Sequence, residues 1–174
     1  MDSEKNTAVH VLLDLLEGAG VEYIFGIPGG PLTALFEALR ERGTIQFILA
    51  KHEEGAAFMA TSHARVRGGL GVCCVTSGPG ATNSLTGIAS ARADGIPVLL
   101  LTGQVPTRVF GKGAIQEGTS HFMDVVEIFR PVTKLSAMVP IGERMSQLVG
   151  EGIRQALAVR RGPVHLSLPA DVLR

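Results

Sequence analysis

The sequence predicts an α/β fold with a six-stranded, mostly parallel sheet and helices on both faces. Short apolar runs typical of strands alternate with longer segments in which apolar residues recur every three or four positions, as in amphipathic helices. Residues 71–76 are apolar almost throughout, which is typical of a strand buried on both faces. Strands that alternate with helices in this way favour parallel pairing.

Length and charge narrow the classes of partner. The chain has 174 residues, enough for one domain with a complete core, and we expect residues 1–174 to form a single domain. Lys and Arg together number 16, as do Asp and Glu, so the formal net charge is zero. That balance gives no electrostatic reason to expect a nucleic acid or a membrane surface as partner. A small molecule or another protein is therefore expected.

The sequence shows no segment that predicts a membrane-spanning or a secreted protein. Residues 96–101 form an apolar run far shorter than the roughly 18 residues that a membrane-spanning helix requires. The first six residues are polar and lack an apolar signal core, so we expect a cytoplasmic protein.

Cys73 and Cys74 are neighbours in a predicted strand, and their side chains should point to opposite faces of the sheet. We expect buried free thiols rather than a disulfide or a metal site.

Hydrophobic periodicity and glycine positions define the order of the elements. Helices are expected at residues 7–17, 31–39, 53–67, 81–93, 124–128 and 142–158. Strands are expected at residues 22–25, 45–49, 71–76, 97–102, 132–135 and 164–168. Residues 103–119 show no clear period and are expected to form a long loop, and loops of that length in a compact domain are usually functional.

A pair of carboxylates, Glu53 and Glu54, follows the strand at residues 45–49 and opens a helix rich in alanine. This junction lies at the carboxyl edge of the predicted sheet, where open α/β sheets bind ligands. The alternative is that both acids only complement the helix dipole, for about 0.3 to 1 kcal/mol each. Taken alone, the stretch favours that alternative.

A second stretch, residues 76–83 with the sequence Thr-Ser-Gly-Pro-Gly-Ala-Thr-Asn, changes the balance because it lies at the same edge after the next strand. Its glycines could simply allow a tight turn from strand to helix. A third glycine-rich turn occupies residues 26–30. Neither the dinucleotide-binding nor the P-loop glycine spacing occurs in the chain.

These stretches belong to an ordered set of five motifs: residues 26–30, 52–56, 76–83, 96–97 with 102–106, and 114–117. On these motifs the chain resembles the N-terminal pyrimidine-binding (PYR) domain of thiamine-diphosphate enzymes, most closely that of the acetolactate synthase large subunit. The resemblance extends from about residue 7 to the end of the chain. It implies the thiamine-diphosphate-binding fold of PYR type and a reaction on 2-oxo acids, either carboligation or decarboxylation.

The resemblance also implies roles for individual residues. Glu53 would activate the cofactor by a hydrogen bond to a nitrogen of its aminopyrimidine ring, and a carboxyl group in an apolar pocket has a raised pKa that suits it to share this proton. Gln116 would lie near the reacting carbons, as a catalytic and substrate residue. The other implied contacts are to the cofactor, from Thr76, Gly78, Pro79 and Asn83, and to the substrate, from Gly26, Pro28 and Gly29. His52 and His121 are more typical of hydrogen-bonded structural histidines and are not assigned to catalysis.

Three departures from the family pattern leave the substrate open. Glu54 stands where acetolactate synthases usually have Gln, and Ile115 stands where Phe is common. Residues 62–65, Ser-His-Ala-Arg, replace the usual Gly-Tyr-Ala-Arg.

The sequence also lacks the Gly-Asp-Gly motif through which the superfamily holds Mg²⁺ and the diphosphate, in a separate (PP) domain. We therefore expect no metal ligands in this chain, a PP domain or subunit as partner, a homodimer, and no activity without the PP part. The chain could be a fragment of a full enzyme, a separately encoded subunit like that of sulfopyruvate decarboxylase, or a non-catalytic interaction module of the same fold.

Overall fold

The computed structural model describes residues 7–174. The helices are α1 (Ala8–Gly18), α2 (Thr33–Arg42), α3 (Glu53–Arg67), α4 (Pro79–Asn83), α5 (Leu85–Ala93), α6 (Val125–Phe129) and α7 (Met145–Leu157). The strands are β1 (Tyr23–Gly26), β2 (Gln46–Leu49), β3 (Gly71–Val75), β4 (Val98–Gln104), β5 (Ser136–Met138) and β6 (Val164–Pro169).

The six strands form one sheet in the order β2-β1-β3-β4-β6-β5, and every pairing is parallel. This confirms the predicted α/β class, with no antiparallel pair among the described strands. Every residue of β3 and β4 is buried, as expected for central strands that are covered on both faces. β2 and β5 form the two edges.

Helices cover both faces of the sheet and enclose two apolar cores. One core packs α1, α2 and α7 against the sheet, and the other packs α3, α5 and α6 against the opposite face. The neighbours Cys73 and Cys74 lie in different cores, as the alternation of side chains in a strand requires. Both are free thiols, and burial raises the pKa of Cys74 to about 12.

The order of the strands determines where the turns at their carboxyl ends lie relative to one another. The chain passes from β1 to the neighbouring β2 and then returns across β1 to β3, so the direction of winding reverses between β1 and β3. Open α/β sheets bind ligands in the crevice at such a switch point. The turns after β2 and β3 therefore follow strands that are successive in the sequence but separated in the sheet by β1.

Tight packing of α3 against α5 brings the beginning of α3 close to α4. A Cβ added to Gly87 would lie only 2.5 Å from the Cβ of Ala57, so the two helices approach closely through small residues. Ala56, Ala57 and Ala60 of α3 are completely buried. The alanine-rich face of α3 is thus a packing surface that brings the start of α3 close to α4.

The predicted strand at residues 132–135 is wrong. The segment Arg130–Val132 is a 3-10 turn that follows α6, and β5 begins only at Ser136. Pro131 has no N–H group and therefore cannot donate a hydrogen bond to a strand. The Thr133 hydroxyl donates to Phe129 O at 2.7 Å, and this bond ties the segment to the end of α6. Leu135 packs against the core that contains α1, α2 and α7, and Val132 packs against the core on the opposite face. This packing explains why both residues are apolar.

The predicted helix at residues 81–93 is divided into α4 and α5 at Ser84. Ser84 Oγ donates to Ala81 O at 2.7 Å, a local bond that competes with regular helix. β4 continues to Gln104, two residues beyond the predicted end, so the following loop begins at Val105. It contains one 3-10 turn, Thr107–Val109.

Candidate functional site

The carboxyl ends of β1 and β3 and the beginnings of α3 and α4 form one open edge of the sheet, which we call the ligand edge. Glu53 is the first residue of α3, and His52 caps this helix because its Nδ1 accepts from the Glu54 N–H at 3.2 Å. Asn83 is the last residue of α4. Its Nδ2 donates to Glu53 Oε2 at 3.0 Å, so the structure brings these two residues into direct contact.

Gly78 and Gly80 form a buried turn beside this pair. Gly78 has φ +56° and ψ −118°, a conformation that essentially only glycine adopts. A Cβ added to Gly80 would overlap Thr76 Cγ2 and lie 3.4 Å from Glu53 Oε1. The turn is therefore tightly packed next to the Glu53 carboxylate, with Gln116 and Thr76 filling the space that side chains at Gly78 and Gly80 would need.

The turn after β1 reaches the same place. A Cβ on Gly29 would overlap the side chain of Thr76, so Thr76 fits between two glycines, Gly29 and Gly80. Gly26 is equally constrained, because a Cβ there would overlap the carbonyl of Cys74 on β3. Pro28 and Pro79 are exposed.

Gln116 belongs to the long loop after β4 and is brought back to the ligand edge by contact with Gly78. A Cβ on Gly78 would lie 2.8 Å from Gln116 O and 3.1 Å from its Cα. Gln116 itself has φ +61°, which is uncommon for a residue other than glycine. The nine residues predicted as site residues lie at the end of β1, in the turns after β1 and β3, at the start of α3, in α4 and in the loop after β4, all of which meet at this edge.

Two buried residues below the loop belong to the sequence motifs at residues 102–106 and 114–117, but the sequence analysis assigns neither of them a role. Gln104 is only 1% exposed and Glu117 only 4% exposed. A hydrogen bond from the Thr119 hydroxyl, with another from the Gly111 N–H, holds the pKa of Glu117 below its usual value although burial opposes this. Position 117 lies in a polar loop, where the sequence alone gives no signal that a carboxylate is buried.

The ligand edge is open in this chain. Glu53 is half-buried and Asn83 is exposed. A cleft of about 660 Å³ lies at the opposite, amino-terminal edge of the sheet, between residues that include Phe36, Arg40 and Phe47, away from the predicted site. The arrangement at the ligand edge is that of one wall of a site, with a half-buried carboxylate and an exposed amide set beside a glycine turn.

Residues 7–174 contain no group of three or more His, Cys, Asp or Glu side chains placed to hold a metal ion. None of their helices is both long and apolar enough to cross a membrane.

Known proteins share this sequence pattern. The family model for the thiamine pyrophosphate enzyme, N-terminal TPP binding domain, matches residues 6–127. The chain is 43% identical to the probable acetolactate synthase large subunit of Methanocaldococcus jannaschii, over 92% of this chain and 26% of that protein. It is 40% identical to acetolactate synthase isozyme 1 large subunit of Escherichia coli K12, over 95% of this chain and 29% of that protein.

A further relative is the mitochondrial acetolactate synthase catalytic subunit of Saccharomyces cerevisiae, at 42% identity over 95% of this chain and 23% of that protein. The chain thus spans about a quarter of the length of the curated relatives that it matches. The family match covers most of the chain and includes the turns that carry Glu53, Gly78 and Asn83. This chain therefore belongs to the thiamine pyrophosphate enzymes, in the family of their N-terminal TPP-binding domains.

Proposed function

We propose that this chain is the pyrimidine-binding half of a thiamine-diphosphate-dependent enzyme that acts on 2-oxo acids in the manner of acetolactate synthase. The observation that carries the proposal is the contact between Asn83 and Glu53 beside the glycine turn that bears the exposed Pro79. The names of the relatives, all acetolactate synthases, support the reaction class.

The ligand edge fits the pyrimidine end of this cofactor. Pro79 and Asn83 are exposed on the glycine turn and present a surface beside Glu53 against which a flat heteroaromatic ring can lie. A carboxylate next to that surface is the group needed to pair with a ring nitrogen. Glu53, Thr76, Gly78, Pro79 and Asn83 would hold the ring.

When bound, thiamine diphosphate supplies an acidic thiazolium carbon together with an aminopyrimidine that serves as its base. Glu53 Oε1 would share a proton with the nearest ring nitrogen and so favour the tautomer in which the amino group is basic. Asn83 holds the other oxygen, Oε2, and fixes the plane of the carboxyl group. Such a positioned acid contributes about 10²- to 10⁴-fold to a rate.

The turn after β1 and the loop after β4 would form the substrate side. Gly26, Pro28 and Gly29 line the turn at the switch point, and Gln116 is held against Gly78 from the other side. We assign Gln116 to contact with the reacting carbons and the turn to contact with the substrate. The three departures from the family pattern leave the identity of the 2-oxo acid open.

The other half of the site must come from elsewhere. We propose that residues 1–174 form one domain, and that the diphosphate and its Mg²⁺ are held by a PP domain that faces the ligand edge, without which the chain is inactive. Leu49, at 67% exposure, and Ile115, at 87%, flank that edge and favour a protein surface against it. A twofold dimer is the simplest such assembly. Light scattering across a concentration series tests it, and a strict monomer would contradict it.

The proposed role of Glu53 is tested by Glu53→Gln in the complete enzyme, or in this chain reconstituted with its PP subunit, at saturating cofactor. We expect carboligation or decarboxylation to fall by about 10²-fold or more. Glu54→Gln is the matched control, because it removes an equivalent charge from the same helical turn and should leave the rate nearly unchanged. Equal effects of the two variants would support the helix-dipole alternative.

The same experiment separates the enzyme from an interaction module of this fold. Wild-type activity in Glu53→Gln would exclude the activating role. A fragment is distinguished from a separately encoded subunit by whether a Gly-Asp-Gly motif lies in the same polypeptide or in a second chain that restores activity.

A further inference from the structure

Gln116 is held in a strained backbone conformation at the ligand edge. It is one of two non-glycine residues with positive φ among residues 7–174, at +61°. Such a conformation costs about 1 to 2 kcal/mol and persists only where the surroundings enforce it. Its contact with Gly78, which also has positive φ, leaves no room for movement toward the turn, since Gln116 O would lie 2.8 Å from any Cβ at position 78.

The residues on both sides of Gln116 are tied down by hydrogen bonds. Before it, Ala114 O accepts from the Glu117 N–H at 3.2 Å and closes a tight turn around Gln116. After it, the Gly118 N–H donates to Gln104 Oε1 at 3.1 Å. Gln104 is the last residue of β4, and the same oxygen accepts from the Val105 N–H at 2.9 Å.

The carboxylate of Glu117 completes this attachment. Its Oε1 accepts from the Gly111 N–H at 2.7 Å and from the hydroxyl of Thr119. Burial of a carboxylate is costly unless donors compensate for the lost water, and both donors here belong to the loop itself. A carboxylate is well suited to this position, because each neighbour presents a hydrogen and an ionised oxygen accepts both.

We infer that Glu117 is a positioning residue for Gln116. Together with Gln104 it forms a clamp, the loop clamp, that holds the Gln116 backbone against the Gly78 turn. The inference rests on the proposed function of Gln116 at the reacting carbons. Gln116 is exposed, and its side chain makes no hydrogen bond to any of residues 7–174, so its placement over the site depends on the buried residue that follows it.

The test is a double-mutant cycle in the complete enzyme between Glu117→Gln and Gln116→Ala. In the isosteric Glu117→Gln, a neutral amide oxygen replaces the ionised Oε1 that accepts both hydrogen bonds and is a weaker acceptor, and an amide N–H₂ takes the buried place of Oε2, which has no partner among residues 7–174. We expect kcat/KM for the 2-oxo acid to fall about tenfold or more, because small displacements of a reacting group are costly in rate. The dissociation constant of thiamine diphosphate should change less than about twofold, because Glu117 lies outside the proposed cofactor contacts.

A residue that acts through Gln116 has no further effect once Gln116 is removed. The loss caused by Glu117→Gln should therefore disappear in the Gln116→Ala background. An equal loss in both backgrounds, or no loss in either, would overturn the inference. Glu143→Gln, a change at an exposed carboxylate on another part of the chain, is the control for general effects of charge.

A second pair of variants keeps the test decisive if Glu117→Gln fails to fold. Thr119→Val removes the hydroxyl that donates to Glu117 and should lower kcat, whereas Thr119→Ser keeps the hydroxyl and should restore it. Equal activity of the two variants would contradict the clamp. Wild-type activity in Gln116→Ala would overturn the proposed role of Gln116 and this inference together, whereas loss in Gln116→Ala with none in Glu117→Gln overturns the inference alone.

Discussion

Nδ1 of His165 lies 2.8 Å from Oγ of Ser136 on the neighbouring strand, in the interior of the protein. Ser136 Oγ donates its own hydrogen to Val126 O at 2.7 Å, so it accepts from Nδ1–H. Nε2 is then the acceptor for the Thr102 hydroxyl at 2.9 Å. The fully buried ring is thus neutral with both nitrogens paired, and burial lowers the pKa of His165 to about 3.

This pairing predicts a dependence of stability on pH. The unfolded chain protonates His165 near pH 6.5, whereas the folded chain does so only near pH 3. The free energy of unfolding should therefore be highest above about pH 6.5 and fall as the pH drops toward 3, by at most about 1.4 kcal/mol per pH unit from this group. In urea unfolding of His165→Gln, the free energy of unfolding should change less with pH between 4.5 and 6.5 than in the wild-type chain. An equal dependence on pH in the variant and the wild type would contradict the assignment.

The hydrogen bond between Asn83 and Glu53 predicts a graded effect on activity. Asn83→Ala removes the donor and should lower kcat at saturating cofactor about tenfold, because the carboxyl group loses its fixed orientation. Asn83→Asp replaces the donor by a second carboxylate about 3 Å from the first and should lower kcat further, since two ionised carboxylates repel each other and a proton shared between them is not offered to the cofactor. The free energy of unfolding should change by no more than about 0.5 kcal/mol in either variant, because Asn83 is exposed. Higher activity in Asn83→Asp than in Asn83→Ala would refute this role.

Gly80 and Gly150 are both helical glycines but should respond to alanine in opposite ways. Alanine at Gly150 meets nothing within 4 Å and should stabilise the protein by about 0.5 to 1 kcal/mol through helix propensity. Alanine at Gly80 would overlap Thr76 and should destabilise it by about 1 to 3 kcal/mol. It should also weaken cofactor binding. Denaturant unfolding measures the first pair of effects, and stabilisation by Gly80→Ala would show that the turn has unused space.

This chain by itself should bind thiamine diphosphate weakly. The ligand edge offers partners for the pyrimidine, but residues 7–174 contain no cluster of side chains able to hold the metal ion of the diphosphate end. Most of the binding free energy should be missing, and titration calorimetry with Mg²⁺ present should give a dissociation constant above about 100 µM. Addition of a PP domain should tighten it, whereas micromolar binding by the chain alone would contradict the two-part site.

The residues that the sequence placed correctly are those with local signals. Glu53 begins α3 because a capping His52 and a run of alanines define that helix, and its first and last residues agree with the prediction. Gly78 is recognisable because a Gly-Pro-Gly turn between a strand and a helix requires a backbone that only glycine adopts. The prediction of a strand at residues 132–135 was wrong because apolar spacing has two explanations. The same spacing occurs in a pleated strand and in a turn whose side chains pack into two different cores.

What the sequence by itself determined is the class of fold, its order of helices and strands, and the motifs of the thiamine-diphosphate family, because all of these rest on periodicity and on residue types over short spans. Only the tertiary structure decided that β1 separates β2 from β3, that Asn83 reaches Glu53, and that Gln116 lies against Gly78 above the buried Glu117. These contacts join residues about 30 or more positions apart. They depend on the path of the chain across the sheet and on the close approach of α3 and α5, which no local pattern encodes.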